Sequence, residues 1–282
     1  MNSAIIGLLA ETSLHPGVGQ VVGAVDLPVA REKTTDYPVI VGSSLKGSLR
    51  DRAEQAWGSS DERVREIFGD PDSAGAVAVT DARLLLLPVR SLSGHYKWVT
   101  CPYLLERYKR DRELAGVKAA DFTVPCPADG QAMVHNRASG NREDDLFLEE
   151  LSFSIIAGDL TPVVEAIRPL IRHSSVRERL AGGLVVISDD EFAYFARHGL
   201  AVNARNVLEE NTKTSKNLWY EETIPPDSLF YALLLARPGR QEALVRLKEL
   251  FRDRPYLQVG GNETIGQGWC IMSWVTSGGE GQ

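Results

Sequence analysis

Hydrophobic positions along the chain recur with two periods, and the breaks between them mark the elements. Residues 4–14 run nearly apolar and predict a first strand that ends at His15-Pro16. Residues 15–42 hold Gly17, Gly19, Gly23, Pro28 and Pro38, too many breakers for regular structure, so a long loop is expected. Loops of that length inside compact domains are usually functional or disordered. After it, Leu45, Leu49, Ala53 and Trp57 return every four positions, the spacing of one helical face. This helix is expected to begin at Ser43 or Ser44. A short helix over 60–68 and one or two strands over 76–89 follow.

Residues 90–150 are polar and without clear period, and they read as an irregular insertion on the core. Beyond them the pattern predicts a returning strand at 146–157, a short helix at 162–171 and a strand at 185–188. A helix at 189–198 is opened by two aspartates. Residues 202–231 read as a hairpin with a polar tip at 209–216. A buried strand at 229–235, a helix at 242–251 with Leu244, Leu247 and Leu250 inward, and strands at 256–259 and 270–275 complete the chain. Strand–helix–strand, met early and again late, predicts an α+β fold with a ferredoxin-like sheet and long insertions.

Composition narrows the classes of function. A net charge of -7 and a pI near 5.4 mean that no whole-molecule field draws this chain to nucleic acid. Any polyanion must be met by a local basic strip or by an assembly that shares the load. The cysteines, Cys101, Cys126 and Cys270, are odd in number and never form Cys-x-x-Cys, which argues against a disulfide framework or a four-cysteine zinc site. Buried free thiols in a reducing cytoplasm are expected. The N-terminal apolar run is short, lacks a basic leader and meets Glu11, so it reads as a strand. No apolar run approaches the ~20 residues of a membrane span.

Candidate chemistry gathers in three glycine-marked segments. Small residues open the helix in Gly42-Ser-Ser-Leu-Lys-Gly-Ser-Leu-Arg50, and Lys46 and Arg50 share one face at i and i+4. Like charges at that spacing repel by a few tenths of a kcal/mol, a cost that a bound polyanion reverses and that Asp51 or Glu54 can also offset. Lysine precedes glycine here, so the segment is not a Walker A loop. Asp26 is the sole carboxylate between Thr12 and Arg31; it can hold a metal, act as a base or accept backbone hydrogen bonds. His15 stands before a proline, and no histidine pair has metal-ligand spacing. The closing loop, with Gly260, Gly261, Gly266 and Gly268, offers backbone amides to phosphates or makes a tight connection. Lys213 and Lys216 sit at the hairpin tip, and Tyr96-Lys97-Trp98 mixes aromatic and basic character as single-strand binders do.

The order of these segments is more specific than any one of them. An Asp26-Leu-Pro-Val-x-Arg-Glu-Lys loop precedes Ser43-Ser-Leu-Lys-Gly-Ser-Leu-Arg50. Asn203-Ala-Arg-Asn-Val, then Leu218-Trp-Tyr-Glu-Glu-Thr-Ile-Pro-Pro-Asp227 and Gly260-Gly-Asn-Glu-Thr-Ile-Gly-Gln-Gly268 follow. In this the chain resembles the RAMP superfamily, and within it the repeated backbone subunit of type III-B CRISPR effector complexes, the Cmr type. The resemblance implies one domain over 1–282, a modified ferredoxin-like or RRM-like palm with a projecting thumb hairpin at about 202–228 and the insertion at 90–150. It implies copies stacked head to tail on a guide CRISPR RNA, other Cmr-complex subunits, and a complementary target RNA cut at regular intervals. It places the essential carboxylate and metal ligand at Asp26, with Mg2+ or Mn2+ as cofactor, and His15 and Glu221 as secondary catalytic candidates. Guide RNA contacts fall on Ser43, Ser44, Lys46 and Arg50, with Gly260, Gly261, Gly266 and Gly268 alongside. Ribose supplies its own nucleophile, the 2′-hydroxyl, so such a site needs no serine or cysteine.

Overall fold

The computed structural model describes residues 2–20, 23–117, 121–135, 145–209, 211–212, 214–276 and 279–280. The chain opens with β1 (Ser3–Ala10), a long loop, β2 (Val39–Ile40), α1 (Gly42–Trp57) and α2 (Glu62–Phe68). Next come β3 (Val77–Val79), β4 (Ala82–Arg90), β5 (Tyr96–Thr100), α3 (Pro102–Leu114), β6 (Gln131–His135), β7 (Asp145–Leu148) and β8 (Leu151–Gly158). A helix α4 (Thr161–Ile167) runs through a 3-10 turn into α5 (Ser174–Gly183), β9 (Leu184–Val186) and α6 (Asp189–His198). The hairpin β10 (Ala201–Leu208) and β11 (Ser215–Thr223) precedes β12 (Leu229–Ala236), α7 (Glu242–Leu250), β13 (Tyr256–Gln258), β14 (Trp269–Thr276) and β15 (Gly279–Glu280).

Two units, β1–α1–β4 and β12–α7–β14, form the centre. Their strands interleave as β14-β1-β12-β4 with every neighbour antiparallel, the split strand–helix–strand arrangement of a ferredoxin-like sheet. β1 and β12 are buried along almost their whole length, which is why both read as continuous apolar runs rather than alternating ones. The predicted stripe of α1 is the one that packs: Leu45, Leu49 and Ala53 are fully buried. Burial of each leucine contributes about 1.5–3 kcal/mol. The sheet then extends from β4 through β5-β9-β6-β8-β7, with β5–β9 and β6–β8 parallel.

That extension corrects the expectation of irregular structure over 90–150. Three strands, β5, β6 and β7, and a 13-residue helix lie there, and Trp98, Val99, Leu104, Leu105 and Tyr108 are core residues. The core face of α3 also carries Arg107, Asp111 and Arg112, so its apolar stripe is masked by charge. Those charges are buried in pairs. Arg107 donates to both oxygens of Glu32 at 2.8 Å, and Asp111 accepts from Arg83 at 2.6 Å and Tyr231 at 2.7 Å. Most of the polar cluster at 138–145 lies outside the described residues.

Smaller differences have local causes. The strand predicted at 146–157 is a hairpin, β7–β8, whose turn places Glu149 at φ 49°. The first strand ends at Ala10, and only Leu14 bridges onward, to Ile224. Helix α5, absent from the sequence reading, buries only Val176 and Leu180 and so lacks a legible stripe. Cys126 is exposed rather than buried, whereas burial raises the thiols of Cys101 and Cys270 far above their ordinary value. Among the described residues no helix is long and apolar enough to cross a membrane.

Candidate active site

The hairpin β10–β11 forms its own two-stranded sheet and is exposed over most of its length. Burial begins at its root, where Glu221, Glu222 and Thr223 close β11. The long first loop lies against this root. Leu27 donates its amide to the Tyr220 carbonyl at 3.0 Å, and Glu222 donates its amide to the Leu27 carbonyl at 3.0 Å. Leu27 and Glu221 thereby form a parallel bridge, and the loop behaves locally as an added strand. Pro28 suits that place, since it has no amide to offer.

This register places Asp26 beside Tyr220. Its Oδ2 accepts the Tyr220 amide at 2.8 Å, a charge-assisted bond that fixes the carboxylate against the thumb strand. Oδ1 has no hydrogen-bond partner among the described residues.

His15 sits on the other side of the same root and is 8% exposed. Its Nδ1 lies 2.8 Å from the Glu222 carbonyl, which can only accept, so Nδ1 carries a proton and donates there, and Nε2 has no hydrogen-bond partner among the described residues. The His15 carbonyl accepts the amides of Gly17 and Gly261, each at 3.0 Å. Glu221, 3% exposed, joins the thumb to the last glycine loop: it accepts from Asn262 Nδ2 and lies 3.5 Å from Arg205 Nε. Asp26, His15, Glu221, Gly260 and Gly261 are thus brought to one place from three distant parts of the chain. Gly266 and Gly268 belong to the same loop; Gly268 packs its Cα against the Val259 carbonyl, and Gly266 faces open space.

The basic strip is distinct from this cluster. Helix α1 begins at Gly42, one residue before the expected start, because the Gly42 amide donates to Asp81 Oδ1 at 2.7 Å across the β3–β4 turn. Val41 provides no side-chain cap. Ser43 and Ser44 are exposed, and their amides have no acceptor among the described residues. They form an open helix N-terminus of the kind that receives anions. Lys46 has no ion-pair partner among the described residues, whereas Arg50 is committed to Glu54 at 2.7 Å and to the Gly69 carbonyl at 3.1 Å. Helix α1 and the last loop border one cleft of about 630 Å³, lined by Ser48, Asp51, Arg52, Tyr256, Glu263 and Trp269 among others.

Tyr96-Lys97-Trp98 is no stacking platform. Tyr96 Oη and Trp98 Nε1 donate to the Asp227 carboxylate and carbonyl, each at 2.9 Å, and Lys97 reaches the Gly182 carbonyl at 3.4 Å. Burial lowers the Lys97 pKa below its ordinary value. Lys216 lies 3.8 Å from Glu209, and Lys213 falls outside the described residues.

A divalent cation is compatible with these groups in one way. Among the described residues no three His, Cys, Asp or Glu side chains are grouped to cage a metal. Magnesium-like ions do not need a cage: they keep most of their waters and take one or two carboxylates plus phosphate oxygens. The unpaired Oδ1 of Asp26 fits that role.

Four residues that were not among the expected site residues take part in this arrangement. Glu222 accepts the Val29 amide at 3.0 Å and Arg31 at 2.6 Å, and Arg31 also reaches the Ala196 carbonyl at 2.7 Å. Asn262 and Asp81 complete the set. Glu222 and Arg31 lie within the motifs at 218–227 and 26–33 that carry the resemblance, but nothing local in the sequence pairs them. The pairing itself spans 191 residues.

Comparison with known proteins gives the family and the fold. The family model for the RAMP superfamily matches residues 8–271. The chain is 38% identical over 286 residues to the CRISPR system Cmr endoribonuclease Cmr4 of Pyrococcus furiosus, a match that covers 97% of this chain and 96% of that protein. The crystal structure of oligomeric Cmr4 from Pyrococcus furiosus shares the fold with a TM-score of 0.78 at 34% identity, over 98% of both chains. A chain of the type III-B Cmr-beta complex bound to cognate target RNA, 21% identical, has the same fold with a TM-score of 0.77 over 96% of both. Likeness of this extent, in sequence and in three dimensions, is decisive: the chain belongs to the RAMP superfamily, and within it to the Cmr4 family.

Proposed function

We propose that this chain is a repeated backbone subunit of a type III-B CRISPR effector, binding guide RNA and cleaving the complementary target RNA with Asp26 as the essential carboxylate. The observation that carries this reading is the Asp26 carboxylate itself, with Oδ2 held by the thumb-strand amide at 2.8 Å and Oδ1 open. A relative described as an endoribonuclease, 38% identical over nearly the full chain, supports the activity. A relative crystallised as an oligomer supports stacking of copies, here head to tail, along the guide and beside other Cmr-complex subunits. One palm domain spans 1–282 in this reading, with residues 90–150 as an elaboration of it and the thumb at about 202–228. Cytoplasmic location follows from the RNA substrates.

The chemistry asks little of the protein. The 2′-hydroxyl of the target attacks the adjacent phosphate, and guide–target pairing selects the sequence. The exposed thumb displaces a nucleotide so that the 2′-oxygen, phosphorus and leaving oxygen can align. Asp26 Oδ1 would hold a hydrated Mg2+ or Mn2+, which when bound would supply charge neutralisation at the phosphate. His15, with Nδ1 anchored, presents Nε2 near the same root, though it is largely buried. Ser43, Ser44, Lys46 and Arg50 hold the guide backbone, with the glycine loop alongside. Because the chain carries -7 overall, this narrow strip and its stacked copies provide the affinity.

The test is cleavage of end-labelled, guide-complementary RNA by the reconstituted complex, with wild type compared to Asp26→Asn. A regular ladder that disappears in the variant while RNA stays bound is the expected result. An unchanged ladder would make this chain a scaffold and move the nuclease to a partner.

A further inference from the structure

The loop that carries Asp26 is clamped at both ends by a residue with no assigned part in cleavage. We propose that Glu222, through its ion pair with Arg31, is a positioning residue that fixes the Asp26 loop to the thumb, so that the carboxylate moves with the thumb rather than with the palm. This rests on the reading of Asp26 given above.

Glu222 makes four contacts to one loop. Its carbonyl accepts His15 Nδ1 at 2.8 Å, its amide donates to the Leu27 carbonyl at 3.0 Å, Oε2 accepts the Val29 amide at 3.0 Å and Oε1 accepts Arg31 at 2.6 Å. The loop is therefore held before Asp26, immediately after it and at its far end. Both carboxylate oxygens of Glu222 accept a hydrogen bond from the loop and the residue is 7% exposed, so burial keeps it from a substrate. Asp26, by contrast, keeps Oδ1 open. The division is physical: one carboxylate is committed to geometry, the other is available for chemistry.

The direction of coupling follows from what each partner touches. Asp26, Leu27 and Val29 are all bonded to residues 220–222 of β11, the return strand of the thumb. Arg31 is the exit point: its guanidinium donates to Glu222 Oε1 at 2.6 Å, to the Asp36 carbonyl at 2.8 Å and to the Ala196 carbonyl at 2.7 Å. A thumb that shifts when it displaces a nucleotide carries residues 26–29 with it as an added strand. The distance from Asp26 to the displaced nucleotide is then set by strand register, which changes only in whole residues.

A double-mutant cycle tests the clamp in the reconstituted complex. Glu222→Gln keeps an acceptor for the Val29 amide but removes the charge facing Arg31; Arg31→Gln removes the other charge. Misplacement of a reacting group by about 1 Å costs on the order of 10²-fold, so each single variant should lower the single-turnover cleavage rate by roughly 10- to 100-fold. Target-RNA affinity should stay within about twofold of wild type, since neither side chain belongs to the basic strip. The double variant should be about as slow as either single variant, not as slow as the product of the two, because both break the same pair. Cleavage at the wild-type rate by Glu222→Gln overturns the proposal, as does a multiplicative double variant. If Glu222→Gln fails to assemble, the charge-neutral double variant decides: failure there too makes Glu222 a folding residue and ends the positioning claim. Asp26→Asn is run beside them. Should it cut normally, the reading of Asp26 falls; should it be inactive while Glu222→Gln is normal, only the clamp falls.

Discussion

Gly260→Ala separates a contact at the site from a general cost of touching a glycine loop. Gly260 has φ 79°, where an alanine costs about 1–2 kcal/mol. A Cβ there would lie 2.5 Å from the His15 carbonyl oxygen, 2.9 Å from its carbon and 3.1 Å from the Pro16 nitrogen. All three are backbone atoms, so no rotamer change relieves the overlap, and such crowding costs about 1–3 kcal/mol. Displacing His15 also breaks the 3.0 Å bond from the Gly261 amide to its carbonyl. That loss adds about 0.5–1.5 kcal/mol. The sum is a destabilisation of about 2.5–6.5 kcal/mol, most of a typical domain's margin at the upper end. Gly266→Ala is the control: φ is 78°, but nothing lies within 4 Å of the new Cβ. It should lose only the roughly 1–2 kcal/mol due to backbone conformation. Urea unfolding of the isolated chain reads both. Cleavage by the assembled complex reads the site, and Gly260→Ala, with His15 displaced, should lose it. Equal destabilisation by the two substitutions would refute the argument, because it would mean that the His15 contact contributes nothing.

Two further outcomes follow from the electrostatics. Lys46→Ala should reduce the slope of log affinity for guide RNA against log salt by about 0.7, the share of one phosphate contact to a single strand. Arg50→Ala should reduce it less, since that guanidinium is already committed to Glu54 and the Gly69 carbonyl; equal slopes would show that Arg50 leaves both partners for RNA. Asp61 caps α2, and the hydrogen bonds from Arg63 hold its pKa down to about 2. Its pKa is lower in the folded state than in the unfolded state, so its contribution to stability is present above about pH 4 and is lost as the pH falls toward 2. The urea midpoints of wild type and Asp61→Asn should therefore converge between those pH values, and a constant gap would refute the assignment.

Much of the architecture was legible because its signals are local. The four-residue spacing of Leu45, Leu49 and Ala53, the continuous apolar runs of β1 and β12, and the paired aspartates that open α6 each act within one element. Helix α3 was not legible, since its inward face is made of Arg107 and Asp111 as well as Leu104 and Tyr108. Charge at a core position reads as surface until its partner is known, and the partners, Glu32 and Arg83, lie 75 and 28 residues away. The same limit applied to the basic helix. Lys46 and Arg50 look alike in sequence, and only the side-chain geometry separates a free cation from a committed one.

The sequence by itself determined the order of the central strands and helices, the ferredoxin-like class and the family, because periodicity, turn chemistry and ordered motifs are properties of neighbouring residues. Tertiary structure alone decided how those residues relate. It laid the first loop on the thumb as an added strand, fixed one oxygen of Asp26 and left the other open, and closed the His15 and Glu221 contacts with the last glycine loop. It also assigned Glu222 to the loop and not to solvent. The physical reason is range. A hydrogen bond across 191 or 194 residues depends on where two remote strands stop, and no local pattern carries that information.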